Sequence, residues 1–210
     1  MRALLIISFL SLTMLFPPQS YAADEDGCAP KFLTLTESAR VELKGKGDFD
    51  IVVATDPLCG HCRLGHKLLK EYPEKYRSLK LLFYPRQSFI GSDMAAWILE
   101  DFVGSDRLET MVDFAYSDLK QPKTKDLNEA RMGVLMQFTE EFPSLLANTT
   151  LPKLFVKLGR THRERVLKGA SLAKAAGLPG TPVLLAGENI VMGYGPQHWL
   201  TALDKKAICK

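Results

Sequence analysis

Phe49-Asp50-Ile51-Val52-Val53-Ala54-Thr55 runs into Asp56-Pro57-Leu58-Cys59-Gly60-His61-Cys62-Arg63, and this stretch decides the fold. Its first half is rich in β-branched residues and apolar on both faces. That pattern suits a central strand in a sheet covered on both sides. An amphipathic helical pattern follows over residues 60–76, with Leu64, Leu68, Leu69 and Tyr72 expected on the core side. Pro73 is expected to kink or end it. Two thiols therefore stand one helical turn apart at a strand-to-helix junction. Unpaired backbone N–H groups at a helix N-terminus favour a thiolate there. Far downstream, Gly180-Thr181-Pro182 precedes a second apolar run, and a Thr-Pro of this kind can lie against a Cys-x-x-Cys. Together these residues point to thiol–disulfide chemistry.

Exchange of this type needs a thiolate nucleophile and a second thiol that resolves the mixed disulfide. Cys59 is expected to be the nucleophile, exposed at the helix start. Cys62, one turn in and more buried, is expected to be the resolving thiol. His61 adds a nearby positive or hydrogen-bonding group that favours the Cys59 thiolate. That stabilises the reduced form and makes the disulfide more oxidising. Other readings of the pair remain. Cys59, Cys62 and His66 offer three ligands where a structural zinc site wants four. Haem attachment needs His at the position of Arg63. A structural disulfide here would close very little chain. No metal and no cofactor is expected beyond a redox-active Cys59–Cys62 disulfide. His66 reads as a helix-surface residue, and His162 and His198 as surface or capping groups.

The start of the chain gives the compartment. Met1-Arg2 is a short positive region, residues 3–16 are apolar and uncharged, and Pro17-Pro18 breaks the run. Ser20-Tyr21-Ala22 is then a small-x-small cleavage site, so residues 1–22 read as a signal peptide. The apolar stretch is shorter than the roughly 20 residues a spanning helix needs, a retained anchor being the alternative. The protein is expected to be exported to where disulfides persist, which in a bacterium is the periplasm. Composition is that of an ordinary globular chain: 210 residues, 46% hydrophobic, 24% charged, formal net charge +3. The expected signal segment holds only Arg2 among charged residues. This balance gives no argument for nucleic acid or for an acidic partner. Residues 23–210 are long enough for one domain with a core of its own.

Residues 31–35 and 41–44 read as short alternating strands, and 79–84 as a second buried strand. Helical patterns follow over 94–104, 108–119, 127–141, 143–147 and 161–176, with Asp93 and Asp106 as natural N-caps. Residues 183–186 and 190–193 read as a hairpin around Gly187-Glu188-Asn189, and 196–208 as a closing helix.

This order is that of an α/β protein, a thioredoxin fold with an inserted helical domain. The chain resembles the DsbA/DsbC/DsbG class of periplasmic thioredoxin-like oxidoreductases. The resemblance is carried by the strand leading into Cys59-Gly60-His61-Cys62, by Gly177-Leu178-Pro179-Gly180-Thr181-Pro182-Val183, and by Gly193-Tyr194-Gly195-Pro196. It implies a thioredoxin-like domain over residues 31–86 and 177–208, with the helical insertion at about 93–176. It also implies that Pro182 is cis. Thr181 would then offer backbone groups to an extended substrate peptide, a strand-addition mode of binding. The Cys-Gly-His-Cys spacer occurs in protein disulfide isomerase, at about −180 mV, against about −270 mV for thioredoxin. That argues for an oxidant. Isomerases of the DsbC and DsbG type carry a long N-terminal dimerisation domain, and only a short segment precedes the first strands here. A monomeric dithiol oxidase is expected, although the Thr before Pro182 is DsbC-like. Its partners would be folding exported proteins and a membrane redox partner that leaves no mark in the sequence. The alternatives are a reductase or isomerase, or a non-enzymatic thioredoxin-like chaperone or metal-binding module. Four cysteines allow three pairings. If Cys59 pairs with Cys62, Cys28 and Cys209 are left to each other as a structural disulfide, the alternative being that both are free or make intermolecular bonds.

Overall fold

A computed structural model describes residues 29–205, so the expected signal segment, Cys28 and Cys209 lie outside the described residues. The apolar run Ile51-Val52-Val53-Ala54 forms the middle of β2 (Asp50–Thr55), the central strand of a five-stranded sheet. The other strands are β1 (Val41–Lys44), β3 (Ser78–Phe83), β4 (Val183–Ala186) and β5 (Asn189–Met192), in the order β1-β3-β2-β4-β5. β2 and β3 are parallel, with Thr55 opposite Phe83. The remaining pairs are antiparallel. Strand alternation sends Ile51 and Val53 to one face, against α2 (Gly60–Glu71) and α7 (Pro196–Asp204). Val52 and Ala54 face the other way, against α1 (Pro30–Ser38) and the end of α6 (Leu151–Ala175).

Between β3 and β4 the chain inserts α3 (Ser92–Asp101), α4 (Leu108–Ser117), α5 (Leu127–Glu141) and α6. α3 is buried almost all round, from Met94 through Leu99, and its core is continuous with the sheet's. The architecture is a thioredoxin fold with a helical insertion. The last turns of α6 return to the sheet, where Ala173 packs with Phe32, Leu35 and Leu82. Among the described residues no helix is long and apolar enough to cross a membrane.

Several local expectations are corrected. Residues 31–35 are helical. Phe32, Leu35 and Ala39 are the buried positions, and their spacing of three and four is a helix period. The Thr36 and Ser38 hydroxyls bond back to the carbonyls of Phe32 and Thr34, which satisfies them inside the helix. α2 stops at Glu71, and Pro73 opens a separate single turn over Pro73–Lys75. Leu64 is 48% exposed, because the inward face is fixed by Cys62, Gly65, His66 and Leu69. Gly91, in the left-handed region at φ 89°, takes the N-cap of α3, and Asp93 instead pairs with Arg131. Arg107 precedes α4 where Asp106 was expected to cap it. α6 begins ten residues before the expected start and runs through Gly159, which lies against the Trp97 ring. The hairpin turn is Gly187-Glu188 alone, since Asn189 already pairs with Ala186.

Candidate active site

β2 delivers the cysteine segment to one edge of the sheet. The loop turns at Asp56, whose carbonyl accepts the Cys59 N–H at 3.0 Å. Cys59 is then the N-cap of α2, with extended backbone at φ −76° and ψ 120°. Its sulfur faces the free N–H groups of the first turn, and those of His61 and Cys62 favour its anion. Across the sheet, Thr181 brings its carbonyl oxygen to 3.7 Å from the Cys59 sulfur, and the Thr181–Pro182 peptide is cis. The Cys62 sulfur accepts the Asp56 N–H at 3.5 Å. Both cysteines are free thiols.

The expected exposure of Cys59 is corrected: it is 5% exposed and Cys62 is 2% exposed. The Thr181-Pro182 loop lies over Cys59 and accounts for part of this cover. The two thiols are nonetheless driven far apart in acidity. A hydrogen bond from the Cys62 side chain leads in pulling Cys59 down to about 5, aided by the Cys62 and His61 N–H groups and by Thr181, against burial. Burial leads in pushing Cys62 strongly upward, followed by the bond it gives to Cys59 and the negative charge there. The buried Thr181 Oγ1 makes no other hydrogen bond, which leaves its proton for a Cys59 thiolate. The part of His61 that bonds Cys59 is its backbone N–H, while its side chain is exposed.

Two residues that the sequence reading passed over sit at the same place. Asp56 is fully buried. Its carboxylate accepts the Leu58 N–H at 2.9 Å, the Arg86 N–H at 2.8 Å and the Ser92 hydroxyl at 2.9 Å. Burial pushes its pKa up to about 6, against those bonds. The available signal was an Asp-Pro turn directly before a Cys-x-x-Cys. Arg63 is half-buried and bonds only carbonyls: Pro57 O at 2.9 Å, Ala115 O at 3.5 Å, and Leu119 O. It ties the cysteine loop to the end of α4, and no pattern in the sequence announces that link.

α4 meets α2 through further polar contacts. Tyr116 is buried, shares a hydrogen bond with Thr55 at 2.9 Å and stacks on His66 at 4.8 Å. His66 is thus a buried residue, held by Asp113 at 3.1 Å, and is not on the helix surface as expected. His162 is likewise buried and bonds Asp101 at 2.9 Å, whereas His198 is exposed. Among the described residues, no three His, Cys, Asp or Glu side chains come together as a metal site would need. Of the residues singled out in the sequence, Cys59, Cys62, His61, Thr181 and Pro182 converge.

Solved structures with the same fold are numerous. One is a thioredoxin-like oxidoreductase from Silicibacter pomeroyi DSS-3, 19% identical, covering 80% of this chain and 91% of that one at a TM-score of 0.57. BdbD from Bacillus subtilis is 17% identical, covering 81% and 93% at a TM-score of 0.60. The thiol-disulfide exchange protein alpha-DsbA2 from Wolbachia pipientis is 14% identical, covering 83% and 93% at a TM-score of 0.54. At these identities the likeness establishes the fold. No protein-family profile matches the chain, and no curated protein matches it in sequence.

Proposed function

We propose that the chain is an exported protein thiol–disulfide oxidoreductase, acting chiefly as a monomeric dithiol oxidase of folding polypeptides. The observation that carries this is the split in acidity between Cys59 and Cys62 beside the Thr181 carbonyl. The names of the similar structures, a thiol-disulfide exchange protein among them, support the same chemistry. Export rests on the segment of residues 1–22.

In the oxidised protein a substrate thiolate attacks the Cys59 sulfur. The Cys59–Cys62 bond breaks, its electron pair goes to Cys62, and Cys62 takes a proton, as its strongly raised proton affinity favours. A second substrate thiolate then attacks the substrate sulfur of the mixed disulfide, and Cys59 leaves as a thiolate. A leaving thiol of low pKa departs faster. The substrate loses two thiol protons and two electrons as its disulfide forms, and a membrane redox partner would reoxidise the pair. The Thr181 backbone would align the substrate as an added strand.

Cys62→Ser should trap substrates as mixed disulfides on Cys59, and Cys59→Ser should abolish exchange. Mass spectrometry of the trapped species decides the matter. Undiminished exchange by Cys59→Ser would defeat the assignment.

A further inference from the structure

Three strand ends meet at the sheet edge that carries the cysteines. β2 leads to Cys59, and β4 starts just after Thr181-Pro182. β3, parallel to β2, leads to Tyr84-Pro85-Arg86. The β4 side of Cys59 holds Thr181. The β3 side holds a cavity of about 340 Å³, bounded by residues 85–93, by the first turns of α5 and by the middle of α6. Arg86 and Ser92 belong to its wall, and both donate to the Asp56 carboxylate. The cavity is therefore built on the same turn that positions Cys59.

Its lining combines two chemistries. Phe89, Leu127, Val166 and Leu167 supply apolar surface, with Leu127 and Leu167 exposed. Arg86, Arg131 and Arg163 supply positive charge. Arg131 is neutralised by Asp93 and stacks on Trp97 at 4.9 Å. Arg86 stacks on Tyr84 at 4.8 Å, and neither Arg86 nor Arg163 forms an ion pair among the described residues. Glu164 is the one acidic residue of α6 among its many Lys and Arg, of which Lys157 and Arg165 are paired with Asp101 and Glu100 of α3. The near-balanced charge of the whole chain hides this segregation.

We infer that the cavity anchors the substrate polypeptide, taking a large apolar side chain with an acidic neighbour. The inference rests on the oxidoreductase reading and names its preferred substrate class. Strands lie about 4.8 Å apart and an extended chain advances about 3.3 Å per residue, so a cavity one to two strand spacings from Cys59 takes a side chain about two to three residues from the reacting cysteine. Charge complementarity selects the acidic neighbour, and a recessed apolar floor suits a side chain better than a flat surface.

The test uses the full mature protein and three cysteine peptides that differ only three residues from the cysteine: Asp-Leu, Ser-Leu or Lys-Leu. Oxidation rates are measured for each. Binding of analogues with Ser for Cys is measured by fluorescence anisotropy. The Asp-Leu peptide should react about fivefold faster than the Lys-Leu peptide, the effect of about 1 kcal/mol of ion pairing. Arg163→Glu, at an exposed site, should reverse that order, and Leu167→Asp should slow all three peptides, since each carries Leu. Equal rates and equal binding for all three peptides, with exchange intact, overturn the anchor and leave the oxidoreductase reading standing. Absence of exchange with every peptide and with insulin overturns that reading, while charge-ordered binding of the Ser analogues would still support the anchor. Two further results assign the cavity elsewhere and overturn the inference. One is sedimentation with phosphatidylglycerol vesicles that Arg163→Glu abolishes, without any peptide preference. The other is a preference that emerges only when Asp24, Glu25 and Asp26 are neutralised.

Discussion

Lowering the pH should erase the extra stability that the Cys59 thiolate gives the reduced protein. An ordinary cysteine titrates near 8.5. Cys59 in the folded, reduced protein is held at about 5. A depressed folded value stabilises the fold fully above the unfolded value and loses that effect as pH falls through the folded one. Between the two, the contribution changes by about 1.4 kcal/mol per pH unit. At pH 7 it amounts to about 3 kcal/mol, or about 60 mV toward a more oxidising couple. Cys62 adds nothing in this range, because burial keeps it protonated. Asp56 acts in the opposite sense: burial raises it to about 6, so its effect on stability declines as pH rises toward and through that value. It is present in both redox forms, however, and largely cancels in their difference. The cross-link entropy of the disulfide is independent of pH and cancels between two pH values. The assay is urea unfolding of reduced and oxidised protein at pH 4 and pH 7, with thiolate absorbance at 240 nm followed in parallel. The reduced-minus-oxidised difference should shrink by about 3 kcal/mol on going to pH 4. An absorbance midpoint near 8.5, or a difference that does not move, would refute the reasoning.

Thr181→Val keeps the shape but removes a hydroxyl that favours the Cys59 thiolate, so Cys59 should become less acidic. The glutathione equilibrium should shift by about fivefold toward the oxidised protein, the effect of one hydrogen bond of about 1 kcal/mol. Gly65→Ala would place a Cβ 2.6 Å from the Trp199 ring. It should lower stability by about 1–3 kcal/mol in urea, whereas Gly60→Ala, with nothing within 4 Å, should be neutral or slightly stabilising. Asp56→Ala strands the Leu58 and Arg86 N–H groups and the Ser92 hydroxyl. It should cost about 3 kcal/mol in both redox forms at pH 7, read from the denaturation midpoint.

Much of the fold was legible because its signals are local. The run from Ile51 to Ala54 announces a doubly covered strand, and the span of α5 and the hairpin after Pro182 read correctly along the chain. The failures came where two periods compete over few residues. In α1, alternating Leu and Thr imitate a strand, and only burial of Phe32, Leu35 and Ala39 shows which period wins. In α2, Leu64 and Leu68 lie four residues apart and look like one apolar stripe. Gly65 is nevertheless the inward position, because the Trp199 ring needs the space a side chain would fill. That demand comes from α7, far away in sequence.

The same division runs through the site, and it bears on what the spacer can say about redox poise. The two thiols and the helix start that polarises them lie within four consecutive residues, so the reaction type can be read locally. The groups that tune them cannot. Thr181 is 122 positions from Cys59, and the Arg86 and Ser92 donors to Asp56 are 30 and 36 positions away. Leu119, which anchors Arg63, is 56 positions away. Sheet order brings the first three together, since β2 lies between β3 and β4. The helical insertion supplies the last through α4. Within the spacer itself, His61 offers its backbone N–H to Cys59, a group any residue but proline would offer there. A Cys-Gly-His-Cys sequence therefore does not set a potential by its side chain alone. The acidity of Cys59 belongs to the helix start, to Cys62 and to Thr181, so a second chain with the same spacer and Val before its proline should be a weaker oxidant than this one.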